Sequence, residues 1–376
     1  MLALLLVLVM PISAEAQPLR VATYNADLTR RWAGQLLHDL QREPLAAEIV
    51  TVVEVIRTVR PDVLLLTGFD HALHGLALAA LVRRLGEAEI DYPHVFHPPG
   101  NEGRVSGMDL DDNGRLMGRG DALGWGRFPG HGGMALLSRL PLDVAEARTF
   151  AGVAWAALPW AELPVHPGGR PWPDPEAQAA RPLSSRSHWD IGVVLPDGER
   201  LHLLAAYPTP PLFDGPERLN RLRNRDEVAF WVHYLDGMAI EDDQGRHAGP
   251  PVAPVVVLGD LNTDPLDGAG LKDGITRLLA HPRLQDPAPV SSGAAAATRV
   301  QGGANTRHRG RWGRDTADWH DGWNGPGNLR VDYVLPDARL EVAGAGVFWP
   351  APGEELAEEV AEGPGHRLVW VDLVLP

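Results

Sequence analysis

Asp260 and Asn262 stand at the end of an apolar run, Val255-Val-Val-Leu-Gly-Asp-Leu-Asn-Thr-Asp-Pro. Apolar residues entering Gly-Asp-x-Asn read as an inner strand. Such a strand delivers an acid and an amide to its carboxyl end, where α/β folds keep their chemistry. At i and i+2 of an extended segment the two side chains point the same way. The acid can hold or deprotonate a water while the amide donates to an oxyanion. Alone, an Asp-x-Asn after a strand is more often a hydrogen-bonded turn. It gains meaning from other segments found in order around it: Tyr24-Asn25-Ala26-Asp27, Arg330-Val-Asp332-Tyr-Val-Leu-Pro and Gly365-His366-Arg-Leu-Val-Trp.

Positioning these residues takes strands. The pattern predicts strands over Leu19–Asn25, Asp62–Thr67 and Met134–Ser138, with an edge strand around Tyr92–Phe96. Ser187–Leu195 and Arg200–Tyr207 flank Pro196-Asp197-Gly198, a hairpin signature. Closing strands are predicted over Leu329–Leu335, Val342–Trp349 and Arg367–Leu375. Helices are predicted over Leu45–Val59, near Gly75–Arg84, and over Gly215–Asp236. On the last, Asp226 and His233 share a face with Leu222 and Phe230 and read as satisfied polar groups at the core edge. Residues 97–132 form a Gly-rich loop too long for a plain connector, and residues 159–182 a Pro-rich one.

The 376 residues are 44% hydrophobic and 22% charged, ample for a large core. The formal charge of −15 disfavours tight binding of duplex DNA unless a local basic face exists. Two Arg-rich segments could build one, Arg218–Arg225 and Arg307–Arg314. Cysteine is absent, so the fold is held by its core and not by bridges. The start, Met1-Leu-Ala-Leu-Leu-Leu-Val-Leu-Val-Met-Pro-Ile-Ser-Ala-Glu-Ala, reads as a signal peptide ending at residue 16. That implies a periplasmic or extracellular protein, one domain over residues 17–376, and no transmembrane anchor after processing.

Together the four segments resemble the endonuclease/exonuclease/phosphatase superfamily. Asp62-Val-Leu-Leu-Leu, Gly133-Met-Ala-Leu-Leu-Ser-Arg139 and Ala206-Tyr207-Pro-Thr-Pro add to the likeness. Ser187-His-Trp-Asp190 and the run Pro208–Glu217 are similar to an exported bacterial branch of it. The resemblance implies an α/β four-layer sandwich, two mixed β-sheets packed face to face with helices outside. It also implies phosphoester hydrolysis with a divalent metal, Mg or Mn. Under it Asp260 positions or deprotonates the attacking water, Asn262 donates to the phosphate, and His366 contacts the phosphate. Asp332 holds the His366 ring, Tyr207 stands where many members have His, and Asn25 joins the metal and water network.

The chain departs from that pattern on the metal side. A metal-binding Glu is expected where Thr67-Gly68-Phe69-Asp70 stands, and Ser-Asp-His is expected where Pro364-Gly365-His366 stands. Asp27 and Asp70 are the carboxylates expected to compensate. Two readings follow: a phosphoester hydrolase with a weakened metal site, or an inactive relative that binds a phosphorylated ligand or a partner protein. A small molecule or lipid headgroup is the expected substrate before duplex DNA. Asp109, Asp111 and Asn113, with Asp121 beyond, resemble the start of a calcium loop, although Gly120 stands at the position of its closing Glu. Arg186 and His188 are candidate substrate contacts by position. So are Trp312, Trp319 and Trp323 with Arg309 or Arg314.

Overall fold

A computed structural model describes residues 18–375; the expected signal peptide, residues 1–16, lies outside them. In chain order the elements are β1 (Leu19–Leu28), α1 (Gln35–Gln41), α2 (Ala47–Val59), β2 (Val63–Phe69), α3 (Leu76–Glu87), β3 (His94–Phe96) and β4 (Gly133–Ser138). There follow β5 (Arg148–Thr149), α4 (Pro175–Ala180), β6 (His188–Val194), β7 (Arg200–Ala206), α5 (Leu219–Leu235), β8 (Ile240–Glu241) and β9 (His247–Ala248). The last are β10 (Val255–Asp260), α6 (Lys272–Leu279), α7 (Ser292–Gln301), β11 (Asp332–Pro336), β12 (Glu341–Phe348), α8 (Ala357–Glu362) and β13 (Leu368–Val374).

Two mixed sheets result. One has the order β12-β13-β1-β2-β4-β3 and the other β11-β10-β7-β6-β5. β1 runs parallel to β2, and β7 parallel to β10. Strand alternation sorts the side chains into layers. Val21, Leu65, Ile191, Leu203, Val256 and Val371 share the core between the sheets. Ala22, Tyr24, Leu64 and Leu66 face the other way, onto α1–α3. Leu204, Val255, Val257 and Tyr333 face α5 and α6. The layers are therefore helix, sheet, sheet, helix, as the resemblance implied.

The same alternation places the chemistry. Asn25 shares its parity with Val21, Asp260 with Val256, Asp332 with Val334 and Tyr207 with Leu203, so all four lie on the inner faces. Each sits at the edge where β1, β2, β7 and β10 end and β4, β6, β11 and β13 begin.

Several elements differ from expectation. α1, α4, α6, α7 and α8 had no predicted counterpart; each has 10 residues or fewer, too few to show a helical period clearly. The helix expected from Gly215 begins at Leu219 instead. Asp214 accepts from the amides of Asn220 and Arg221 and fixes that start. Asp226 is satisfied as expected, but His233 is not, since its buried Nε2 has no hydrogen-bond partner. Asp226 accepts from the Trp155 indole at 2.8 Å, and His233 stacks on Trp160 with centroids 4.1 Å apart.

Gly259 sets the packing beside the site. Its φ is +146°, and a Cβ there would lie 1.9 Å from the Ala206 carbonyl oxygen. Only glycine lets β10 and β7 come this close. We expect Gly259→Ala to cost about 2–4 kcal/mol, read by urea unfolding; an unchanged midpoint would contradict this packing.

Candidate functional site

Asp260 is fully buried. Its Oδ2 accepts from Asn25 Nδ2 at 2.9 Å across the two sheets, and its Oδ1 accepts from the Asn262 amide at 2.9 Å. Asn25 Nδ2 also lies 3.2 Å from the Tyr207 hydroxyl. Asp332 is the register partner of Asp260 on β11. Its Oδ2 lies 3.0 Å from His366 Nδ1 and accepts from Thr316 Oγ1 at 2.8 Å. His366 Nε2 is 3.8 Å from Asp260 Oδ2, and Trp319 meets the imidazole edge-on at 5.2 Å. Segments far apart in the chain thus converge on one histidine between two carboxylates.

Burial alone would push His366 down, but the charges of Asp332 and Asp260 outweigh it and raise its pKa to about 9. At neutral pH the ring is therefore an imidazolium. Asp260 is pushed up, by burial first and by Asp332 among the charges, against the pull of His366. Tyr207 stays a phenol, since burial raises it to about 12.

A cleft of about 870 Å³ opens onto this group. Asn25, Asp27, Gly68, Tyr207, Asn262 and His366 form its chemical end. The loop before β11 supplies Arg307, His308 and His320 to its wall, and the loop after β10 supplies Asp264 and Asp267. Lys272, the one lysine in the chain, holds the second loop. Its Nζ donates to the main-chain oxygens of Asp264 at 2.9 Å, of Gly268 at 3.2 Å, and of Asp267.

Some expected site residues stand elsewhere. The extended reading of Asp260-x-Asn262 fails at its second residue: the strand ends at Asp260 and Asn262 has φ +54°. Asn262 still lines the cleft, with Nδ2 donating to the Pro208 carbonyl at 3.0 Å. Asp27 does not continue the face of Asn25 either. Its φ is +47°, its amide donates to Asn25 Oδ1 at 3.2 Å, and its side chain is exposed at the mouth.

Asp70 is turned away from the cleft. Its two oxygens accept from the amides of Arg30 and Gly132, each at 2.8 Å, which ties the loop after β1 to the Gly-rich loop. His188 is no substrate contact. It is buried on the helix side of β6, with Nδ1 2.7 Å from Ser184 Oγ and Nε2 2.9 Å from the Glu227 carbonyl. Arg186 lies outside the cleft lining and stacks its guanidinium 4.0 Å over the Tyr207 ring. Asp109, Asp111 and Asp121 do cluster, with ligand-type oxygens within 4.8 Å of one another. Most of those oxygens cap backbone amides of the same loop: Asp109 takes Asn113 and Gly114, and Asp121 takes Leu110 and Gly118. Asn113 turns its Oδ1 to the Arg115 amide.

Gly68 decides the metal side. Its φ is +62°, and a Cβ would lie 2.3 Å from Asn25 Oδ1. The place for a longer side chain is already taken by the amide that holds Asp260. Asn25, Asp27 and Asp70 therefore do not make the expected oxygen cage, since Mg²⁺ takes oxygen ligands in near-ideal octahedral geometry. The acid and histidine atoms that could hold a divalent ion together are those of Asp260, Asp332 and His366, within 4.8 Å of one another. Gly365 differs from Gly68: a Cβ there would meet nothing closer than 3.4 Å.

With this geometry in view, known proteins can be compared. Residues 22–354 match the Endonuclease/Exonuclease/phosphatase family. The chain belongs to that family. The matched span stops short of His366, so the place of this residue rests on the geometry above. A solved endonuclease/exonuclease/phosphatase from Beutenbergia cavernae DSM 12333 is similar at 18% identity and a TM-score of 0.51, over 96% of this chain and 72% of that one. A family protein from Leptotrichia buccalis C-1013-b is similar at 14% identity and 0.48, over 95% and 100%. The human Nocturnin catalytic domain is similar at 15% and 0.46, over 95% and 93%. The first of these supports the fold. No match is found among curated proteins.

Two measurements check the site. In ¹⁵N-histidine NMR we expect His366 to be doubly protonated at pH 7 and to lose its proton near pH 9. Asp332→Asn should lower that titration by about one unit or more, ~1.4 kcal/mol, because burial then dominates; a parent ring already neutral at pH 7 would refute the pairing. In urea unfolding, Gly68→Ala should cost about 1–3 kcal/mol through its left-handed φ and the push on Asn25. Gly365→Ala should stay within about 0.5 kcal/mol of the parent.

Proposed function

We propose that the chain is a phosphoester hydrolase in which an acid–histidine group carries the chemistry and the metal side is reduced. The observation that supports this most is the buried Asp260–His366–Asp332 group, whose His366 lines the end of an open cleft. Asp260, fixed by Asn25 and the Asn262 amide, holds and deprotonates a water. His366, kept charged and oriented by Asp332, places a positive N–H against the phosphoryl oxygens, where charge grows during attack. The second hydrogen of Asn262 Nδ2 donates beside it. A mostly buried imidazolium is strongly felt, since little solvent screens it. The family generally uses divalent metals; here Gly68 and Asp70 do not supply the expected ligands, and the atoms that could hold an ion are those of Asp260, Asp332 and His366. No step is assigned to an ion.

The cleft also bears on the substrate. Beyond the chemical end its walls include the apolar Pro210, Pro211, Leu212, Leu329 and Val331 beside Asp264, Asp267, His308 and His320, with Arg307 the one Arg or Lys lining it among the described residues. That surface suits a phosphoester with an apolar or small organic group better than duplex DNA, which needs many phosphate contacts. The amino-terminal apolar run and its Ala-x-Ala support export, and with it the placing of the chain in the exported bacterial branch. One specific observation favours the second reading, an inert binder: glycine stands where the family's carboxylate is expected, and a Cβ there would press on Asn25 Oδ1 at 2.3 Å.

Hydrolysis of bis(p-nitrophenyl) phosphate separates the two. We expect turnover that falls about 10²–10⁴-fold in Asp260→Ala and in His366→Ala. The rate should rise as Asp260 loses its proton near pH 6 and fall as His366 loses its own near pH 9. Added Mg²⁺ or Mn²⁺ should change it little. Phosphate binding with no turnover at any pH, with or without these ions, would leave the inert binder.

A further inference from the structure

The exposed aromatic side chains are not scattered. Among the described residues they are Trp32 (64% exposed), Trp125 (52%), Phe213 (94%), Trp312 (38%) and Trp323 (80%). Four lie on loops, and Trp312 begins a single 3-10 turn, at the edge of the sandwich that holds the cleft. Trp32 follows β1, Trp125 lies between β3 and β4, Phe213 follows β7, and Trp312 and Trp323 precede β11. The strand registers put each of these loops at that edge: Gly133 of β4 pairs with Phe69 of β2, and Asp332 of β11 with Asp260 of β10. Phe213 lines the cleft itself, and Trp323 adjoins the lining residue Asn324. At the opposite edge the exposed large apolar residues are valines, Val144, Val252 and Val374.

Arginines accompany the aromatics. Arg31 lies 5.0 Å over the Trp32 ring, Arg119 6.0 Å over Trp125, and Arg307 4.7 Å over Trp323. Residues 302–314 hold Arg307, Arg309, Arg311 and Arg314 and no Asp or Glu, in a chain of net charge −15. An exposed Trp costs free energy in water and has an apolar body with a polar edge, so it settles at the boundary between headgroups and acyl chains. An arginine beside it meets lipid phosphates at the same depth. No helix among the described residues is long and apolar enough to cross a membrane.

We propose that this rim docks on the surface of an anionic phospholipid bilayer, with Phe213 and Trp323 in the interface and the arginines of residues 302–314 on the headgroups. The cleft would then open toward the membrane, and its apolar wall would continue into the lipid. This deepens the proposed function by naming where the phosphoester is met, and it rests on that reading only for the substrate. Single-stranded nucleic acid also stacks on aromatics beside arginines, but it needs a run of phosphate contacts, and the cleft lining offers Arg307 alone among Arg and Lys of the described residues.

Vesicle flotation tests it. The protein should float with phosphatidylcholine vesicles containing phosphatidylglycerol, and less with phosphatidylcholine alone or in high salt. Phe213→Ser with Trp323→Ser should weaken binding by about tenfold or more. Val144→Ser with Val252→Ser, at the far edge, should leave it unchanged. Thermal melting of both pairs confirms the fold, which exposed positions should not disturb. No flotation, or flotation indifferent to the rim pair, overturns the proposal. So does a single-stranded oligonucleotide that binds through the same aromatics while vesicles are ignored. Asp260→Ala should float like the parent, which keeps the two readings apart. Soluble diester hydrolysed without flotation sinks the docking alone, and flotation without any hydrolysis sinks the catalytic reading alone.

Discussion

The hydrogen bond from Asn25 to Asp260 joins the ends of the two sheets, and the site is built around it. One partner is on β1 and the other on β10, and these strands belong to different sheets. The bond forms because both residues have inward parity at the last turns of their strands. It gives a fully buried carboxylate a donor that the core itself does not supply. A buried acid without such partners would take up a proton. Here Asn25, the Asn262 amide and the His366 charge share the task of keeping it ionised. Asn25 is held in turn by Tyr207 and by the Asp27 amide, so the geometry is fixed from several sides.

Charge balance extends the same constraint. His366 sits between Asp332 and Asp260, so three buried charges sum to one negative. Thr316 shows how finely this is held: its hydroxyl donates to Asp332 while accepting from the amides of Val331 and Asp332, each at 3.0 Å. The imidazole has no freedom to leave, with Trp319 against one edge and a carboxylate at Nδ1. A charged ring in this position is ready to meet a phosphoryl group without reorganising, the condition under which fixed dipoles and charges lower a barrier most.

Much of this was legible in the residues. Strand alternation and buried apolar runs identified the sheets, and the inner parity of Asp260 follows from Val256 and Leu258. The same rule also held the answer for His188. Trp189, Ile191 and Val193 face the inter-sheet core, so His188 must face α5, and a strand-start histidine is then spent on Ser184 and Glu227. Other features leave no local trace. The left-handed backbone at Asp27, Gly68 and Asn262 comes from how strands end against neighbours, and no periodicity reports it. Thr316 and Lys272 act through contacts that the loop chemistry alone does not announce. Asp70 looked like a metal ligand by spacing, yet two backbone amides claim it. Short helices such as α1 and α6 form because they cover the sheets, not because their sequences insist on it.

The two glycines on the metal side make physical sense together. A carboxylate at either position, without a cation, would add negative charge beside Asp260 and Asp332, which already outnumber the one imidazolium. In a buried site such a charge is costly, and the nearest acid would protonate and cease to act as a base. With Gly68 occupied in space by Asn25 and Gly365 open, the arrangement is consistent only as a set: few carboxylates, one histidine cation, and an amide where a ligand would stand. Losing one carboxylate and keeping the other would leave the charge uncompensated. The site therefore reads as one electrostatic unit that holds its excess to a single negative charge, with the positive member supplied by the chain.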